Sequence, residues 1–185
     1  PLIDHYRMKK VTNALVTSYH NSDASLHLLV SGVGKVNAAM AIAHYCAMQP
    51  VRHHAAFFNI GIAGSSHYSI GPCVMANKIE DASNKQVWYP YLLKKLPCDS
   101  ATLRCYDQPQ HRCTDALVDM ESAGFMQAVS RFSYQDQAQL LKVVSDHSAE
   151  DHAVIKPQQV QDWIKSALPQ IDSIHQALLQ RSTLV

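Results

Sequence analysis

Short apolar runs bounded by glycine recur through the first half of the chain. Leu26 to Val30 ends at Ser31-Gly32, Ala55 to Ile60 ends at Gly61, and Val74 to Ile79 follows Gly71-Pro72. Runs of this length between turn residues predict buried strands. Between the first two, Lys35 to Met48 carries Val36, Ala39, Met40, Ala43 and Ala47 at helical spacing, ahead of Pro50, which cannot continue a helix. In the second half, Phe125, Ala128, Val129 and Phe132 give Glu121 to Phe132 one apolar face, and Leu140 to Val144 predicts another buried strand. A long helical pattern then runs from Val160 through Trp163, Ile164, Ile171 and Ile174 to Leu178, with Pro169 placed to kink or split it. Strands alternating with helices predict a parallel or mixed sheet with helices outside. Residues 82–115 show no such period. Trp88-Tyr89-Pro90-Tyr91, Pro97 and Pro109 predict loops around short strands there, one of them Thr102 to Tyr106.

Composition narrows the picture. A chain of 185 residues fits one domain with a full core. It has no apolar run of about 18 residues, so no membrane span is expected, and its start does not read as a signal peptide. The net charge of +1 and the scattered 11 histidines form no basic stripe, so nucleic-acid binding has no electrostatic footing. The 5 cysteines contain no Cys-x-x-Cys and read as free thiols of a reducing compartment. Cys105, His111 and Cys113 match no zinc spacing, so packing rather than a metal site is expected of them.

The candidate chemistry lies in two acidic blocks. Val118-Asp119-Met120-Glu121-Ser122 and Val143-Val144-Ser145-Asp146-His147 each end an apolar run in carboxylates. That places Glu121 and Asp146 at the ends of neighbouring buried segments, where α/β folds collect ligands. Plainer readings exist for each residue. Ser145, Asp146 or Ser148 can cap a following helix. Glu121 suits a helix start on dipole grounds, and Met120 suits a core. Trp88, Tyr89 and Tyr91 can stack on a ligand or pack in the core.

Two further blocks precede these: Val30-Ser31-Gly32-Val33-Gly34-Lys35-Val36-Asn37, and Phe58-Asn59-Ile60-Gly61-Ile62-Ala63-Gly64 followed by Ile70-Gly71-Pro72-Cys73-Val74. In order and spacing the four resemble the purine nucleoside phosphorylase and methylthioadenosine/S-adenosylhomocysteine nucleosidase family, and more closely a compact bacterial nucleosidase-like subgroup. The resemblance implies a three-layer α/β/α sandwich with a mixed central sheet, spanning residues 1–185 as one domain. It implies cleavage of the N-glycosidic bond of a purine-type nucleoside. Asp146 matches the general acid to the base, Glu121 the ribose-binding carboxylate and Met120 the residue against the sugar face. Ser145 would hold Asp146, and the turns at Gly34 and Gly61 would let backbone approach the nucleophile. Lys142 stands where relatives carry arginine, for structural pairing.

Asn59 stands where phosphorylases carry a phosphate-binding arginine, which favours water as nucleophile. Phosphorolysis, with inorganic phosphate as co-substrate, and nucleoside binding without turnover are the alternatives. No metal or organic cofactor is implied. A cytoplasmic homo-oligomer, most simply a dimer, is. Two features depart from the family. Ile62 occupies a position often polar in relatives, and Pro1 to Tyr6 resembles the inside of the first helix, so the first strand and its water-holding glutamate are expected to be missing. The shortened stretch over 82–115 implies a more open pocket that accepts a bulky 5′ group.

Overall fold

A computed structural model of the chain describes all residues except 13–14, 49–54, 94, 111–115 and 183–185. His111, Cys113 and Pro50 therefore lie outside the described residues. Four long strands and one short one carry the architecture: β4 (Phe57–Gly64), β5 (Cys73–Asp81), β7 (Ser100–Cys105), the short β8 (Leu117–Asp119) and β9 (Ala138–Asp146). With the short β6 (Val87–Trp88) they make one mixed sheet in the order β6-β5-β7-β8-β4-β9. β4 runs parallel to β9, and β7 runs parallel to both β5 and β8. β5 also pairs antiparallel with β9, Cys73 opposite Val143 and Val74 opposite Lys142. The strands thus curl into a ring. The sheet is mixed, as expected, but barrel-like rather than the flat middle layer of a three-layer sandwich. β5 closes it, pairing with β7 along one edge and with β9 and then β6 along the other.

All nine residues of β9 are buried, because helices cover the sheet on two sides. On one side lie α2 (Lys35–Met48) and α3 (Ser122–Phe132). Phe125, Ala128, Val129 and Phe132 of α3 join Leu103, Leu117 and Leu140 in one core cluster, as their spacing predicts. On the other side lie α5 (Pro157–Ser166) and α6 (Leu168–Ser182). Val160, Ile164, Ile171, Ile174 and Leu178 pack there on Met75, Leu141 and Val143. The helical run breaks at Ala167, and Pro169 sits in the first turn of α6, where its missing N–H costs nothing.

Two expectations fail in instructive ways. Helix α2 buries Ala38, Ala41 and Ile42, whereas Val36 and Met40 are 69% and 63% exposed. The helix is apolar nearly all round, so spacing alone does not choose a face. Small residues do, because they allow α3 to approach closely. A Cβ on Gly124 would lie 1.9 Å from the Lys35 carbonyl oxygen, so only glycine fits at that crossing. The strand expected at Leu26 to Val30 forms as β3 (His27–Leu29), but only half-buried and outside the main sheet. It joins an antiparallel three-stranded sheet with β1 (Lys9–Lys10) and β2 (Ser18–His20). The short α1 (Leu2–His5) is held to α6 by the Tyr6 hydroxyl, which donates to Asp172 at 2.6 Å. Among the described residues no helix is long and apolar enough to cross a membrane.

Candidate active site

A cavity of about 700 Å³ opens where β4, β8 and β9 end. That volume suits a drug-sized ligand. Asn59, Gly61, Met120, Glu121, Ser145 and Asp146 all line it, with Leu28 and Leu29 of β3 and Val160 and Ile164 of α5 as apolar wall. Six of the seven residues singled out in the sequence therefore converge. The seventh, Gly34, stands beside the cavity. It takes φ +98°, which glycine alone adopts freely, and its N–H donates to Glu121 Oε1 at 2.8 Å. Gly34 thus holds the Glu121 carboxylate through its backbone. The tight α2–α3 crossing at Gly124 brings the two together.

Asp146 is 5% exposed at the end of β9. The Ser145 hydroxyl donates to its Oδ1, and the Ser65 N–H donates to its backbone carbonyl at 2.9 Å. Its side chain caps no helix. Ser148 takes that role for α4 (Ala149–Ala153), accepting from the Asp151 N–H at 3.2 Å. The capping alternative for Asp146 and Ser145 is therefore removed. His147 turns away, its ring against the Ser65 carbonyl. His152, which the sequence did not single out, lines the cavity with Nδ1 3.4 Å from Asp146 Oδ1.

The floor holds a second acid. Asp119 is 4% exposed and Lys142 is 1% exposed, with Nζ 2.9 Å from Asp119 Oδ2. The Ser122 N–H and hydroxyl donate to the same carboxylate at 3.0 and 2.6 Å, which fixes the start of α3. Gly61 is not a turn but the centre of β4, directly opposite Lys142. A Cβ there would lie 3.2 Å from Nζ, so glycine makes room for the buried ammonium. Asn59 Oδ1 is buried without a hydrogen-bond partner, an acceptor left for water or ligand.

Lys35, in the first glycine block, points elsewhere. Its Nζ reaches Asp81, Ser83 and Asp107 at 2.9 Å each. Arg104 pairs with Glu80, and no arginine among the described residues lines the cavity. Arg52 and Arg112 fall outside the described residues. The aromatic segment does not wall the pocket either. Trp88 belongs to the core, Tyr89 is exposed, and Tyr91 lies under Arg181 at 3.9 Å. No group of three metal-ligating side chains occurs among the described residues.

No family model matches the chain, and no curated protein matches it in sequence. Solved structures do match. The methylthioadenosine/S-adenosylhomocysteine nucleosidase of Colwellia psychrerythraea, crystallised with adenine, aligns with TM-score 0.71 at 17% identity, over 97% of this chain and 89% of that one. The Helicobacter pylori nucleosidase bound to butyl-thio-DADMe-Immucillin-A aligns with TM-score 0.76 at 12% identity, over 96% and 92%. This chain has the fold of the nucleoside phosphorylase and methylthioadenosine nucleosidase superfamily. Futalosine hydrolase of Helicobacter pylori shares that fold with TM-score 0.70 at 12% identity, over 92% of each chain. Enzymes with different substrates thus share this framework, and likeness at such identity fixes the framework alone.

Proposed function

We propose that the protein is a nucleosidase that hydrolyses the N-glycosidic bond of a purine-type nucleoside. One observation carries the reading: Asp146, buried at the cavity wall, caps no helix and has no lysine or arginine partner among the described residues. A carboxyl group so placed can hold a proton and give it to a leaving base. Glu121, steadied through one oxygen by Gly34, has a second oxygen for the ribose hydroxyls. Met120 lies against the sugar face.

In the reaction, the bond from C1′ to the base nitrogen breaks with its electrons going to the base. Asp146 supplies the base with a proton. The Glu121 carboxylate stabilises positive charge building on the sugar. Water adds to C1′, and the proton it releases restores Asp146. Asn59 Oδ1 is a free acceptor for that water or for a hydroxyl.

Water is favoured over phosphate because, among the described residues, the lysines near the site are already matched. Lys142 is neutralised by Asp119, and Lys35 by Asp81 and Asp107. A phosphate dianion leaving bulk water needs unspent cationic partners. Ile62 offers neither reactant a hydrogen bond. The apolar wall at Leu28, Val160 and Ile164 suits a thioether at the 5′ position.

A homodimer belongs to this reading, since the exposed Val33, Val36 and Met40 form an apolar stripe running from the cavity mouth along α2. A cytoplasmic location belongs to it too, in keeping with the free thiols Cys46, Cys73, Cys98 and Cys105. The test is release of free base from methylthioadenosine, adenosylhomocysteine, adenosine and inosine, followed by chromatography with and without phosphate. Phosphate-independent release is expected. Release only with phosphate would make the protein a phosphorylase. Tight binding without release would make it a binding protein.

A further inference from the structure

β5 and β7 run parallel with Met75 opposite Ser100 and Ala76 opposite Ala101. The Met75 N–H donates to the Asp99 carbonyl at 2.9 Å, which carries the ladder past the start of β7. Cys98 lies two residues before β7, and the same register carried back past the start of that strand would set it opposite Cys73. Residues two apart on a strand share a face, and Met75, Cys73 and Cys98 all pack in the same apolar cluster. Neighbouring strands stand about 4.8 Å apart, inside the roughly 4.4–6.8 Å Cα separation that a disulfide spans. Both thiols are free and half-buried, and each shifts the ionisation of the other.

We infer that Cys73 and Cys98 are a reversible redox pair, closing to a disulfide between β5 and the segment that leads into β7. Their environments divide the work. The contact with Cys98 outweighs burial at Cys73 and pulls its thiol down to about 7. The same contact, with burial, pushes the Cys98 thiol up. Burial also holds Cys46 and Cys105 protonated, at about 11 and about 12. Cys73 is therefore the attacking thiolate and Cys98 the resolving thiol.

The oxidant is a small-molecule disulfide. The Cys73 thiolate attacks one sulfur of it and expels a thiolate, leaving a mixed disulfide on Cys73. Cys98 then loses its proton, attacks the Cys73 sulfur and expels the second thiolate. The chain loses two hydrogens, and the small disulfide becomes two thiols. The bond would form next to the cavity floor, since Cys73 faces Val143 and Val74 faces Lys142 across β9.

The test treats the full chain with glutathione disulfide, then alkylates and maps the peptides. Expected are a loss of two thiols from the 5 present, a Cys73–Cys98 cross-linked peptide, and reversal by dithiothreitol. Closing this loop raises the melting temperature by roughly 5 °C. Cys98→Ser is expected to stop at glutathione on Cys73, formed several-fold faster than on Cys46 or Cys105. Cys73→Ser leaves Cys98 unmodified over the same interval. A cross-link elsewhere, mixed disulfides on both residues without closure, or all thiols remaining free would each overturn the inference.

Discussion

Asp119 and Asp146 end β8 and β9, the two strands that flank β4, are 4% and 5% exposed, and line one cavity. Each accepts a hydrogen bond from a serine, Ser122 in one case and Ser145 in the other. They differ in charge balance. Asp119 faces the buried ammonium of Lys142 at 2.9 Å, while among the described residues Asp146 has only the ring of His152 at 3.4 Å, a side chain 43% exposed. Burial alone therefore does not separate the structural acid from the one proposed to react. A buried carboxylate locked to a buried cation is tied to its charge. Asp146, without such a partner, is the one proposed as proton donor.

The strongest way to break this contrast is to remove the cation. Lys142→Met leaves the Asp119 charge buried and unpaired and should cost about 3–5 kcal/mol in denaturant unfolding. The double variant with Asp119→Asn should recover most of that loss. A single substitution that costs less than about 1 kcal/mol would show the pair to be weak and the contrast false.

On the other side, Asp146→Asn keeps the shape and an acceptor for Ser145 but cannot supply the proton. Base release should fall by about 10²–10⁴-fold, while unfolding changes by less than about 1 kcal/mol. The reverse outcome, unchanged release with a large loss of stability, would make Asp146 a second structural acid.

Asp81 extends the comparison to an acid outside the cavity. Burial pushes its carboxyl up, but the Ser83 hydroxyl, the Lys35 ammonium and the Ser83 N–H together outweigh that and hold it below the usual range. Its stabilisation is complete above the unfolded carboxylate value and is lost as pH falls through the lower folded one. Asp81→Asn should thus cost about 1–3 kcal/mol at neutral pH. The difference from the native chain should shrink below about pH 4. A difference that stayed constant into acid would show that Asp81 acts by packing rather than charge.

How much of this was legible depended on whether a residue's neighbours are local. Helix α3 has a single apolar face, and the ends of β8 and β9 carry their acids in contiguous blocks, so both were readable. The face of α2 was not, because Val36 and Met40 are as apolar as the Ile42 it buries. Nor was closure of the sheet, which rests on the changing partners of β5. Lys142 was legible as a structural pairing residue, but its partner was not. A lone lysine between Leu140-Leu141 and Val143-Val144 must find a buried counter-charge, and Asp119 supplies it. Gly61 read as a turn because its true reason, the ammonium on the adjacent strand, is 81 positions away in the pairing Gly61 to Lys142. His152 left no trace at all. It sits on a five-residue helix whose placement beside Asp146 only the fold determines.

His152→Ala is the smallest and sharpest of these tests. The ring is nearly half exposed and 3.4 Å from Asp146 Oδ1, so water can replace it, and exposed pairs of this kind contribute only about 0.2–1 kcal/mol. Base release should fall by less than about 5-fold, with KM nearly unchanged and stability intact. Set beside Lys142→Met, the variant asks whether Asp146 depends on a cation as Asp119 does. A loss of several kcal/mol in stability would mean that it does, and that the proton donor must be sought elsewhere in the cavity. A small loss in kcat alone would mean that His152 only orients a carboxyl group whose reactivity comes from lacking a fixed counter-charge.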